Sequence, residues 1–113
     1  MQILHQNISL RELKSIAEAM FGDMVKAVVD VDLELLALDA ELHSDLEALL
    51  LQDGSKQASL WGINLYPEVS GDDFIEFDSM INVRPSAGNR SRGVENTAVR
   101  EKIIEVVQKW VRQ

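Results

Sequence analysis

Positive charge gathers without a carboxylate beside it in one segment of this chain, the ten residues RPSAGNRSRG from Arg84 to Gly93. Its arginines, Arg84, Arg90 and Arg92, stand among Pro, Gly, Ser and Asn. The planar guanidinium group offers a fork of donors that suits carboxylate and phosphate groups. The spacing is neither that of a P-loop nor that of a dinucleotide fingerprint. We call residues 84–93 the arginine loop, and its composition predicts an anion site without naming the anion.

The position of the arginine loop supports the same interpretation. It leads into a predicted helix over about 96–111, with Asn96 as N-cap, and free N–H groups at a helix start favour an anion. The predicted ligand contacts are Arg84, Asn89, Arg90, Ser91 and Arg92. Two alternatives remain open: the arginines pair with the protein's own carboxylates, or they contact an acidic face of a second subunit in a homodimer.

A second candidate group surrounds His43, which stands near Glu41, Asp45 and Glu47. His43 and Glu47 are four residues apart and would share a helical face, as metal ligands or an acid–base pair require. Glu47 equally fits the third position of a capping box that starts at Ser44. The pair alone therefore specifies neither a metal site nor a reaction.

Asp78 is the last residue with a candidate catalytic role. In a strand it would share a face with Asn82, next to the arginine loop, and Asn64 and Tyr66 would face it from a neighbouring strand. An enzyme built from these residues would use His43 as general base and the arginines to stabilise developing negative charge. His43 and Asp78 are thus the catalytic candidates for a small metal-independent hydrolase or isomerase, and no motif decides whether the protein is an enzyme.

Composition limits the other classes of function. The 113 residues contain no cysteine and two histidines, which excludes disulfides, thiol catalysis and Cys-based zinc sites and predicts no metal or cofactor. Their number suits one domain over residues 1–113. The beginning of the chain, MQILHQNISL, lacks the basic and apolar regions of a signal peptide, and no apolar run reaches the ~20 residues of a membrane span. We therefore expect a cytoplasmic protein without a membrane partner.

Charge is distributed unevenly. The net charge is −8, and the nine acids and one base of residues 23–53 account for most of it. Residues 68–78 add five acids and no base. General nucleic-acid binding needs an extended basic surface, which this chain lacks. The expected partner is an anionic small molecule or an acidic protein surface that meets the arginine loop.

Hydrophobic periodicity and capping signals predict the elements that must position these residues. Ser9 and Glu12 have capping-box spacing before a helix over about 10–21. Valines and leucines from Val25 onward predict a β-hairpin turning near Asp32–Glu34, with one continuous strand as the alternative. The remaining predicted elements are a helix over 44–52, a strand over 59–66 with Leu60 and Trp61 on opposite faces, a long strand over 74–83, and the helix over 96–111.

Together these elements predict an α+β fold. The order α-ββ-α-ββ-α indicates a mostly antiparallel four-stranded sheet, on which the helices pack to form two layers. The segments ELHSDLEALLLQDGSKQASLWGINLYP and FDSMINVRPSAGNRSRGV, together with SLRELKSIAEAMFGDMVKAVVDV, resemble a small bacterial family classed as a domain of unknown function. The resemblance covers nearly the whole chain. It implies a bacterial, cytosolic, single-domain setting and supplies no catalytic residues.

Overall fold

The computed structural model describes all residues from Met1 to Gln113 and has a five-stranded sheet at its centre. The strand order is β1-β4-β3-β5-β6, and every neighbouring pair is antiparallel. Outside this sheet, β2 and β7 form a short parallel pair. The elements are β1 (Gln2–Ile3), β2 (Ile8–Ser9), α1 (Leu10–Ala19), β3 (Val25–Asp30), β4 (Leu35–Leu38), α2 (His43–Gln52), β5 (Leu60–Leu65), β6 (Ile75–Glu76), α3 (Thr97–Trp110) and β7 (Val111–Arg112).

Both faces of the sheet are covered. Side chains alternate along β5, so that Trp61, Ile63 and Leu65 join the larger core with α1 and α3, whereas Leu60 joins a smaller core with α2. Leu60 and Trp61 therefore lie on opposite faces, as predicted. A central strand that is apolar on both faces requires a layer on each.

The α+β class and the antiparallel sheet are confirmed, and two details differ from the prediction. The sheet has five strands rather than four, because Gln2–Ile3 adds to the free edge of β4. The fold has three layers rather than two, since α2 packs on the sheet face opposite α1 and α3. None of the helices has the length and apolar composition that crossing a bilayer requires.

The predicted hairpin is confirmed, with Asp30 paired to Leu35 at its end. No Gly or Asn marked the turn, because the Asp30 carboxylate organises it. Its Oδ1 accepts hydrogen bonds from the backbone N–H groups of Asp32 and Leu33, both at 2.9 Å. Glu34 then adopts a positive φ of 56° and accepts the indole N–H of Trp110 on its carbonyl at 2.8 Å. The end of α3 is thereby attached to the hairpin turn.

Two of the three predicted helix starts are correct. The Ser9 hydroxyl accepts from the Glu12 N–H at 3.1 Å, and the Asn96 side chain accepts from the Val99 N–H at 3.1 Å. The capping box from Ser44 to Glu47 is wrong, because α2 begins one residue earlier, at His43, and its N-cap makes no side-chain hydrogen bond.

The predicted long strand over 74–83 is also wrong, because only Ile75–Glu76 pair as a strand. Met80–Asn82 form a turn of 3-10 helix, which the Ser79 hydroxyl starts by accepting from the Ile81 N–H at 3.3 Å. The Asn82 amide then takes the place of a strand beside Gly62. It accepts the Gly62 N–H at 2.8 Å and donates to the Gly62 carbonyl at 3.0 Å.

Candidate functional site

The arginine loop is held in shape by the buried side chain of Asn89, which is 3% exposed. Its Nδ2 donates to the carbonyls of Asn82, Ser91 and Gly93 at 2.7, 3.1 and 2.8 Å, while its Oδ1 accepts from the Glu95 N–H at 2.9 Å. A buried amide with all of these partners fixes the backbone around it. The amide of Asn89 is thus occupied within the protein, and contact with a ligand stays a prediction.

The backbone of the loop already binds one carboxylate, that of Glu95. One oxygen of Glu95 accepts the N–H groups of Arg90 and Ser91 at 2.6 and 2.8 Å. The hydrogen bonds from the Ser91 and Arg90 N–H groups lower the pKa of Glu95. The Ser91 hydroxyl accepts from the Gly93 N–H at 3.2 Å. The N–H groups of Arg90 and Ser91 are therefore already bound to a carboxylate of the chain itself, and affinity for an outside anion stays a prediction.

The side chain of Arg84 binds β5 and the residues just before it. Its two terminal nitrogens donate to the carbonyls of Gln57 and Leu60, each at 2.6 Å, and its guanidinium stacks 4.2 Å from the centre of the Trp61 ring. Planar stacking combined with hydrogen bonds from two separate nitrogens is a geometry that lysine cannot reproduce. Arg84 is therefore engaged in the structure, and a role in ligand contact stays a prediction.

Arg92 and Arg90 are the arginines of the loop that face solvent. The Arg92 Nε lies 2.6 Å from the Asp78 carboxylate, and the two side chains are 56% and 42% exposed. The side chain of Arg90 is exposed and takes part in none of the ion pairs. Asp78 thus links the arginine loop to the residues of the neighbouring sheet edge.

Those residues form a row across β3, β5 and β6. The strand register pairs Lys26 with Asn64 and Asn64 with Glu76, which places all three side chains on the face that α2 covers. The Asn64 Nδ2 donates to the Glu76 carboxylate at 2.8 Å and to the Asp78 carbonyl at 3.3 Å. The hydroxyl of Tyr66 donates to the same Glu76 oxygen at 3.0 Å. The chain of contacts from Tyr66 to Arg92 is therefore continuous.

His43, the first residue of α2, contacts β5 at Ile63, next to Asn64. Its Nε2 lies 2.8 Å from the Ile63 carbonyl, which can only accept, so Nε2 carries the proton of the neutral ring and Nδ1 keeps a lone pair. Burial lowers the pKa of His43, and the charge of Lys26 adds to this, while the hydrogen bond to Ile63 and, more weakly, Asp78 and Asn64 oppose the shift. The Oδ1 of Asn64 is buried without a partner. We call His43, Asn64, Tyr66, Glu76, Asp78 and Arg92 the polar cluster.

The polar cluster brings together the two catalytic candidates and one of the predicted arginines. The sequence predicted that Asn64 and Tyr66 face Asp78 from a neighbouring strand, but Glu76 was missed because only the register of β6 places it beside Asn64. The sequence suggested that His43 acts together with Glu47. In the structure, the ring of His43 instead contacts the Ile63 carbonyl on β5. No set of three His, Asp or Glu side chains is arranged to hold a metal ion.

Mild acidification is expected to destabilise the fold through His43. Its pKa is lowered in the folded state, so the unfolded chain binds more protons below its ordinary value of about 6.5. The free energy of unfolding should therefore fall as the pH drops through this value and level off below the folded pKa. Urea unfolding between about pH 7.5 and 5 tests this, and His43→Gln should flatten the dependence. His5→Gln is the matched control, and an unchanged slope in His43→Gln contradicts the prediction.

Comparison with known proteins places the chain in a family. A family model described as "Protein of unknown function (DUF5674)" matches residues 2–110. A search of curated proteins and a search of solved structures gave no match. The match spans nearly the whole chain and confirms the resemblance seen in the sequence, while the family's description assigns no activity to the polar cluster. The chain therefore belongs to the DUF5674 family of proteins of unknown function.

Proposed function

We propose that the protein is a binding or regulatory domain that recognises an anionic ligand through Arg90 and Arg92, with the polar cluster beside them contacting the rest of the ligand. The observation that carries this proposal is the ion pair between Arg92 and Asp78, at 2.6 Å. It joins the arginine loop to the side chains that include His43. The ligand is a small anion or an acidic protein face.

The rigidity of the loop supports binding. Asn89 and Glu95 fix the backbone on both sides of Arg90, so a ligand would not have to order this segment. The Arg92–Asp78 pair is solvent-exposed, and exposed pairs contribute only about 0–1 kcal/mol. A ligand anion can therefore bind the remaining donors of Arg92 or displace Asp78 from its Nε. Arg90 has no ion-pair partner to give up.

An amide NMR titration with inorganic phosphate, and separately with succinate, tests the proposal at low and moderate salt. We expect saturable shifts in residues 88–97 and at Asp78. The double variant Arg90→Gln/Arg92→Gln should weaken binding at least about tenfold, which corresponds to ~1.4 kcal/mol. Arg11→Gln removes an exposed charge from α1 and is the control.

Light scattering separates a small anion from a protein face. A dimer that dissociates with salt, and that Arg90→Glu abolishes, identifies the occupant as the acidic surface of a second copy. Saturable phosphate or succinate shifts on a monomer identify a small anion instead. A salt-independent monomer with no shift from either anion contradicts the proposal.

Acid–base catalysis at His43 is a second candidate, and the orientation of its ring favours it. The proton is held on Nε2 by the Ile63 carbonyl, and burial lowers the pKa, so the neutral ring offers Nδ1 as a base. A metal-independent hydrolase or isomerase of this kind requires turnover that rises with pH through the pKa of His43. Turnover must disappear in His43→Gln and persist in His5→Gln.

A further inference from the structure

A concave groove lies at the edge of the sheet, on the side of α3. It has a volume of about 440 Å³ and runs between β6 and α3. Ligand sites typically occupy about 300–1,000 Å³. Ile75 lines this groove, whereas its neighbour Glu76 belongs to the polar cluster, because consecutive strand residues point to opposite faces. The principal walls are Phe74, Ile75, Phe77, Ile104 and Val107, with Arg100 among them.

Arg100 is the cation of this groove. Its guanidinium lies 4.3 Å from the centre of the Phe77 ring, which fixes the plane of the group. One terminal nitrogen makes a long hydrogen bond of 3.4 Å to the Val94 carbonyl. Arg100 takes part in no ion pair, although the chain carries 19 acidic residues. The Nε and the second terminal nitrogen therefore keep their donors for an outside acceptor.

We propose that this groove binds a small amphipathic monocarboxylate. The carboxylate would accept two parallel hydrogen bonds from Arg100, and the apolar chain would lie against Phe74 and Ile104. Asp72 lines the same groove and forms no ion pair with Arg100. Its negative charge disfavours a second carboxylate on the ligand, which predicts a preference for monocarboxylates over dicarboxylates. This site does not depend on the anion site proposed at Arg90 and Arg92.

Titration with hexanoate, followed by amide NMR, tests the inference. We expect saturable shifts at Ile75, Phe77, Arg100 and Ile104. Hexanamide, which has the same length without the charge, and succinate should each bind at least about tenfold more weakly. Arg100→Gln should remove hexanoate binding, while Arg11→Gln should leave it unchanged.

A second variant separates loss of the groove from loss of the fold. Ile104→Trp keeps Arg100 and fills the groove at a partly exposed position, so it should also remove hexanoate binding while the circular dichroism spectrum stays folded. Equal binding of hexanoate and hexanamide, shifts outside the groove, or retention in Arg100→Gln overturns the inference. Arg90→Gln/Arg92→Gln should retain hexanoate binding, so failure here is distinguishable from failure of the anion site.

Discussion

Replacing Asn89 with aspartate is expected to lower the free energy of unfolding by about 3 kcal/mol or more at neutral pH. The change is nearly isosteric but removes the amide donor, which serves the carbonyls of Asn82, Ser91 and Gly93. These carbonyls would instead face a buried negative charge. Each buried group left unsatisfied costs about 1–3 kcal/mol, and the charge adds to this.

Urea unfolding measures the loss, and Asn96→Asp is the matched control. It introduces the same charge nearby, where aspartate caps a helix as well as asparagine does, so stability should change little. The repulsion should raise the pKa of Asp at position 89, so the destabilisation should shrink as the pH falls and the carboxyl gains a proton. An Asn89→Asp protein as stable as Asn96→Asp would show that the loop does not depend on this amide.

In this protein, most interactions between residues close together along the chain were predicted correctly, whereas most of those between distant residues were missed. The caps at Ser9 and Asn96 use partners three residues away, and both were predicted. Arg84 binds carbonyls that are 27 and 24 residues away along the chain. Composition could identify its donors but not these acceptors. The sequence therefore indicated the donors of the arginine loop, while the tertiary structure determines which of its side chains are buried and which face solvent.

The same limit explains the candidate site and the wrong strand. The alternation over 74–83 matches the pattern of a strand. In the structure, however, the side-chain amide of Asn82 replaces backbone pairing with Gly62. Nothing in the neighbouring sequence distinguishes Asn82 from any other asparagine. His43 and Asp78 were each suspected for their chemistry. Their proximity depends on how α2 crosses β5 and on where β6 ends, so the polar cluster could only be assembled from the structure.

Gly62→Ala is expected to reduce stability by about 3 kcal/mol, because β5 and the segment after β6 touch at this glycine. A Cβ there would lie 2.5 Å from the Ser79 Cβ, 2.6 Å from its Oγ and 3.1 Å from the Ile81 Cγ1. Ser79 is 1% exposed, and its N–H is bound to the Arg92 carbonyl at 2.9 Å, so it cannot move aside without disturbing the arginine loop.

Urea unfolding of Gly62→Ala should be compared with that of Gly93→Ala. A Cβ at Gly93 would meet atoms no closer than 3.5 Å, which is ordinary contact, so this control should be nearly neutral. The double variant Gly62→Ala/Ser79→Gly relieves the clash and should recover part of the loss, which would measure the coupling between the two positions. Equal stability of the two alanine variants would contradict the close approach.

The same substitution should also weaken phosphate binding in the protein that remains folded. Displacing Ser79 would shift its neighbour Asp78, and it would also shift Arg92, whose carbonyl accepts the Ser79 N–H. Asp78 and Arg92 form the ion pair that joins the arginine loop to the polar cluster. The NMR titration of Gly62→Ala should therefore show weaker binding than that of Gly93→Ala. Unchanged binding in a destabilised Gly62→Ala protein would mean that anion recognition does not need the ion pair between Arg92 and Asp78.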